Sequence, residues 1–141
     1  MKKLLLLFAI ALFAASCEGP RGPEGPQGEG TNWEVINIKV RSSDWVRNTD
    51  ANNAVYYSAL VTVPELTEFI YDFGNVINYV DYGTSQQTLP SVRHNKDKDN
   101  NLWTTTIDYD FAIGNVKYYV TNSDFFDEKP ADMYFRLVLM W

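Results

Sequence analysis

Two stretches of this chain alternate with a period of two. Residues 54 to 63 read Ala-Val-Tyr-Tyr-Ser-Ala-Leu-Val-Thr-Val, and residues 102 to 111 read Leu-Trp-Thr-Thr-Thr-Ile-Asp-Tyr-Asp-Phe. Successive side chains of an extended strand point to opposite faces. Val55, Tyr57, Ala59, Val61 and Val63 therefore share one face of the first run, and Trp103, Thr105, Ile107, Tyr109 and Phe111 one face of the second. Beyond residue 31 the chain is rich in Val, Ile, Thr, Tyr, Phe and Trp, in short runs broken by Asn, Asp, Gly and Ser. That is the pattern of an antiparallel all-β fold.

The pattern predicts strands over Trp33 to Val40, Ala54 to Val63, Val76 to Tyr82, Gln86 to Leu89, Leu102 to Phe111, Val116 to Thr121 and Met133 to Trp141. The last carries Met133, Phe135, Leu137, Leu139 and Trp141 on one face and Val138 and Met140 on the other, as expected of a central strand. Between the second and third runs, Pro64 to Gly74 breaks the pattern. Proline at a first helical position, Glu65 and Glu68 in the opening turns and Gly74 as a stop predict a short helix. Leu66, Phe69, Ile70 and Phe73 would form its apolar face. A short strand with Phe69, Tyr71 and Phe73 on one side is the competing expectation. Gly114-Asn115 suits a two-residue type II′ turn. That register pairs Ile113 with Val116, Phe111 with Tyr118 and Tyr109 with Val120 on an apolar face, leaving Asp108, Asp110, Lys117 and Tyr119 on the other. The expected fold is an all-β antiparallel sandwich of about seven strands with one short helix as plug or crossover, in a single domain over residues 32–141.

The first residues have a different character. Lys2 and Lys3 precede the apolar run Leu4 to Phe13, and small residues Ala14, Ala15 and Ser16 precede Cys17. Basic start, short apolar segment and small-residue end are the layout of an export signal over residues 1–16. The apolar run is too short for a bilayer, which needs roughly 20 residues. Glycine then recurs at 19, 22, 25 and 28 in three Gly-Pro-x triplets, giving a stalk over residues 17–31. Period-three glycine with proline is the signature of three wound polyproline chains. So few triplets favour an extended spacer instead, roughly 40 Å long at about 3.1 Å per residue. A homotrimer stays open if the domain itself associates.

Removing Lys2 and Lys3 leaves ten basic against eighteen acidic residues, a charge of −8. Such a chain is ill suited to nucleic acid, which is bound by neutralising phosphates, and to anionic lipid surfaces. Cys17 is the only cysteine, so the domain has no disulfide, thiolate nucleophile or Cys-ligated metal. His94 is the only histidine, in the polar stretch Arg93 to Asn101, and reads as part of a solvated loop. Asp97, Asp99 and Asn101 have the oxygen spacing of a calcium loop, but Leu102 stands where its glycine is needed. An exposed hairpin tip is the expectation. Asp108 and Asp110 lie on one strand face roughly 7 Å apart, beside Lys117 and tyrosines, and read as a solvated face. No catalytic residue, metal or cofactor is expected. The aromatic excess, 15% of the chain, is the one bulk feature with a functional side. Trp45, which follows Ser42-Ser43-Asp44, the loop pair Phe125-Phe126, and outward Tyr56, Tyr119 or Tyr134 are candidates for a platform that meets sugar rings or a partner protein. Ordinary sheet packing explains the same excess.

The Leu-rich segment ending Ala14-Ala15-Ser16-Cys17 resembles the bacterial lipoprotein signal, or lipobox. The resemblance implies cleavage before Cys17, lipidation of its sulfur and acylation of its new amine. The partner would then be membrane lipid, since several acyl chains anchor stably where one is marginal. With the Gly-Pro-x stalk, the Leu89-Pro90 step and the closing run Met133 to Leu139, the chain resembles small collagen-like-repeat lipoproteins of Bacteroidota. That implies a cell-envelope location, at the outer membrane or cell surface, and supplies no catalytic residues. The functional expectation is a non-enzymatic binding or structural domain on a lipid anchor, with a glycan-binding accessory module as the alternative.

Overall fold

The structure, a computed structural model, describes residues 30–141. The signal peptide, Cys17 and the Gly-Pro-x triplets lie outside the described residues.

Nine strands form two antiparallel sheets among the described residues. They are β1 (Trp33–Val40), β2 (Val46–Thr49), β3 (Val55–Thr62), β4 (Asn75–Asp81), β5 (Gln86–Thr88), β6 (Ser91–Lys96), β7 (Leu102–Ala112), β8 (Asn115–Asn122) and β9 (Met133–Met140). A four-stranded sheet runs β1-β9-β4-β5 and a five-stranded sheet β2-β3-β8-β7-β6. The chain passes from one sheet to the other at residues 41–45, 63–74, 89–90 and 123–132.

The alternating runs set the core. Tyr57, Ala59, Ile107, Val116, Tyr118 and Val120 point inward from the five-stranded sheet, and Ile38, Val76, Val80, Phe135, Leu137 and Leu139 from the four-stranded one. Tyr118 and Phe135 stack across the gap with centroids 3.9 Å apart. The Tyr118 hydroxyl donates to Asn78 Oδ1 at 2.8 Å, and the Tyr109 hydroxyl to the Val76 carbonyl at 3.0 Å. These bonds matter because a buried polar group without a partner costs about 1–3 kcal/mol. As expected, β9 is central, between β1 and β4. Its end is tied by paired backbone bonds between Trp141 and Asn32.

Four expectations need correction. Two polar strands, β2 and β6, join the seven expected, and β6 (Ser91–Lys96) contains the stretch read as loop around His94. The helix, α1 (Glu68–Phe73), is shorter than expected. Thr67 rather than Pro64 opens it, its hydroxyl accepting from the Ile70 N–H, and α1 crosses between the sheets as foreseen. Of its proposed apolar face only Leu66 and Ile70 are buried, whereas Phe69 and Phe73 pack on each other at the surface. The helix does end at Gly74, and only glycine fits there, because a Cβ would lie 2.7 Å from both the Ile70 and the Met140 carbonyl oxygens.

The fourth correction concerns the β7–β8 hairpin, whose register is two residues from the expected one. Phe111 pairs with Val116, Tyr109 with Tyr118 and Ile107 with Val120, and Ile113 lies in the turn. The faces are those foreseen, because a shift of two preserves them. Gly114, at φ 75°, takes the second place of the loop, where a type II turn needs glycine. Its N–H donates to the Leu66 carbonyl and its own carbonyl accepts from Val63 N–H, both at 2.8 Å. The segment after β3 therefore sets this turn.

Candidate functional site

β7 has eleven residues, whereas no strand of the four-stranded sheet exceeds eight. Along its inward face Ile107 is buried core, but Thr105 and Trp103 beyond it are only half-buried. The neighbouring strands change character at the same level. Asn122 pairs with Thr105 and Asn95 with Trp103. A polar ladder replaces the apolar core here: Asn95 Nδ2 donates to Thr105 Oγ1 at 2.9 Å, and Thr105 Oγ1 donates to Asn122 Oδ1 at 2.7 Å.

The β8–β9 loop arches over this overhang. Five side chains brace it. Asp127 accepts from Arg47 Nε and from the Tyr57 hydroxyl, each at 2.7 Å. Those bonds, Tyr57 first, hold the Asp127 carboxyl below the usual range. Asp132 accepts from Lys39 Nζ at 2.8 Å and from the Ser42 N–H at 2.9 Å. The Ser42 hydroxyl donates to the Pro130 carbonyl at 2.8 Å, and Trp45 Nε1 to the Ala131 carbonyl at 3.3 Å.

Between this loop and the β6–β7 tip lies a cleft of about 490 Å³, lined by Asp97, Asn101, Leu102, Trp103, Asn122, Asp124, Phe126 and Glu128. A depression of about 260 Å³ continues past Trp103 over the polar ladder to Lys129 and Met133. Trp103, Asn122 and Glu128 line both. Three polar groups of this wall make no side-chain hydrogen bond or ion pair among the described residues: the Trp103 indole N–H, the Asn122 Nδ2 amide and the Glu128 carboxylate. A second hollow of about 530 Å³ lies at Asp81, Tyr82, Gly83, Asp132 and Tyr134, where Asp132 is engaged by Lys39 and Asp81 by Gly83 N–H and Gln86, and the buried Tyr82 hydroxyl has no partner among the described residues.

The expected site residues separate. Phe126 is 66% exposed and lines the cleft. Phe125, with φ 54°, is half exposed and stands outside it. Trp45 corrects the expectation: it is 2% exposed, folded into the core by the 3₁₀ turn Ser42–Asp44, and holds the loop from beneath. Tyr56 and Tyr119 pack together at 6.3 Å on the outer face of the five-stranded sheet, and Tyr134 lies on the other sheet's outer face under Lys39. They do not join the cleft.

The groups considered for chemistry are dispersed. His94 is exposed on β6 opposite Thr104, four residues from Asp108, or roughly 13 Å along the strand. Asp110 accepts the Tyr119 hydroxyl at 2.6 Å, which pushes that phenol up to about 12. Asp97 spends its carboxylate on the hairpin tip, accepting from Asn101 Nδ2 and from the N–H groups of Asp99 and Asn101, which lower its pKa. Among the described residues no group of three or more His, Cys, Asp or Glu is placed to hold a metal ion, and no helix is long and apolar enough to cross a membrane.

Trp103, Asn122 and Glu128 escaped the reading of the sequence as ligand contacts. One signal was present: on the face that carries Ile107 and Val120, the next residues in register are Thr105 and Asn122, where a core would continue apolar. Comparison with family models, curated proteins and solved structures finds no match.

Proposed function

We propose that this chain is a lipid-anchored protein of the cell envelope or surface, held through Cys17, whose β-sandwich is a non-enzymatic recognition module that binds a sugar chain in the cleft. One observation carries the reading. Two aromatic side chains, an unpartnered indole N–H, an unpartnered carboxylate and the Asn122 amide line one groove. Sugar rings offer C–H faces that pack on aromatics and hydroxyls that donate to carboxylates and accept from N–H groups. Asp124 and Glu128 make the wall acidic, which favours neutral or amino sugars over sulfated or uronic ones. The depression beyond Trp103 gives a longer chain somewhere to run.

A glycan array followed by tryptophan fluorescence titration tests this. Neutral oligosaccharides should perturb Trp103 emission. Phe126→Ala and Glu128→Gln should each weaken binding about tenfold, roughly 1.4 kcal/mol, with the thermal unfolding of the domain unchanged. An array without hits and a flat titration would remove the sugar as ligand.

A further inference from the structure

The two outer faces of the sandwich differ in kind. On the five-stranded sheet, Lys117, Tyr119, Asp108 and Asp110 face outward with Tyr56, and exposed Val46, Leu60 and Val92 are scattered among polar residues. On the four-stranded sheet the outward residues form an apolar patch at the Trp33 end, which gives way to Asn37, Arg136 and Lys39 towards the other end. Trp33 and Met140 are neighbours across β1 and β9, and Val35, Val138 and Ile77 make a row across β1, β9 and β4. Tyr79 extends the patch. Trp33 is 65% exposed, the other five are half-buried, and none of the six packs against the core. An outer sheet face is normally the solvated one, so this one is built to be covered.

The sequence indicates by what. The glycine-every-third-residue repeat ends at Gly28, and Trp33, a corner of the patch, follows five residues later. Period-three glycine with proline is the signature of three wound chains, and although so few triplets favour an extended spacer, a trimer follows if the domain itself associates. We propose that the outer face of the four-stranded sheet is a self-association surface, on which three copies of this chain pack about a threefold axis. A closed ring about that axis lets one side of each copy's patch meet the other side of its neighbour's. It also offers three clefts side by side on one membrane, and so multiplies the avidity for a repeating ligand. The surface does not depend on the cleft binding sugar.

The test uses the full acylated protein in detergent, with its mass read by native mass spectrometry and light scattering. A trimer is expected. Val138→Lys should raise its dissociation constant at least ~100-fold while circular dichroism and the unfolding temperature stay near wild type. Should Val138→Lys fail to fold, Thr31→Cys serves, because position 31 is exposed, is not one of the patch residues, and the domain holds no other cysteine. A tris-maleimide should then link three chains. A monomer or dimer in the native protein overturns the proposal, as does the absence of linked trimer. So does a trimer that survives Val138→Lys but dissolves on replacing Gly22 and Gly25 by alanine, since the stalk alone would then hold it.

Discussion

Replacing Trp45 by alanine separates two accounts of this residue sharply. As an exposed platform aromatic it would cost little stability when truncated, within about 0.5 kcal/mol. The structure instead leaves it 2% exposed beneath the β8–β9 loop. A buried aromatic removes about 150–250 Å² from water, which at about 25 cal/mol per Å² is roughly 4–6 kcal/mol. Measured Phe or Trp to Ala changes in cores fall at about 3–5 kcal/mol, and this site should lie within that range. For a domain near 110 residues the loss lowers the unfolding temperature by at least ~12 °C, at about 4 °C per kcal/mol. It also takes a large share of a total stability of about 5–15 kcal/mol. Trp45→Phe keeps a buried ring but gives up part of the indole's packing and the 3.3 Å bond to the Ala131 carbonyl, so it should lose about 1–3 kcal/mol. The assay is thermal and urea unfolding followed by far-ultraviolet circular dichroism, with Phe126→Ala as the exposed control. Trp45→Ala unfolding within about 3 °C of wild type would refute the burial argument and return Trp45 to the surface.

Gly74→Ala should lower the urea midpoint by the equivalent of about 1–3 kcal/mol, because the added methyl meets two backbone carbonyl oxygens at 2.7 Å and neither can rotate away. An unchanged midpoint would mean that the end of α1 has room. Asp127 has a depressed pKa in the folded domain, so its bonds to Tyr57 and Arg47 stabilise at pH values above the ordinary Asp range near 3.9. That contribution is lost as pH falls through this value towards the depressed one. The stability gap between wild type and Asp127→Asn, from urea midpoints between pH 6 and pH 3, should therefore narrow as acid is added. A gap independent of pH would show that the carboxylate contributes no linked protonation.

The sheets were legible where packing imposes alternation. β1, β3, β7 and β9 each lay one face on the core, and their apolar residues mark it. β2 and β6 are edge strands that pair on one side only, so Arg47, Asn48, Arg93 and His94 can be as polar as a loop. The hairpin tip at Asp97 to Asn101 pointed to β6 all the same, since a tip needs two strands. The β7–β8 register turned on contacts between Gly114 and the segment after β3, at a distance local turn rules do not reach. Trp45 follows three polar residues that look like a surface loop, and only the 3₁₀ turn they form sends the next side chain inward. The cleft was half legible. Phe126 was visible as an apolar residue in a polar loop, whereas Trp103 was indistinguishable from core until the shorter opposing sheet left it uncovered.

That mismatch in strand length divides the labour of the sequence. The residues that make the sandwich fold lie where the sheets overlap, and those that would meet a ligand lie on the overhang and on a loop fastened from its far side. Phe126 and Glu128 can therefore be exchanged with little effect on Trp45, Tyr57 or Asp127, which hold the loop in place. A lineage carrying this domain could retune what it recognises one substitution at a time, without passing through an unfolded intermediate.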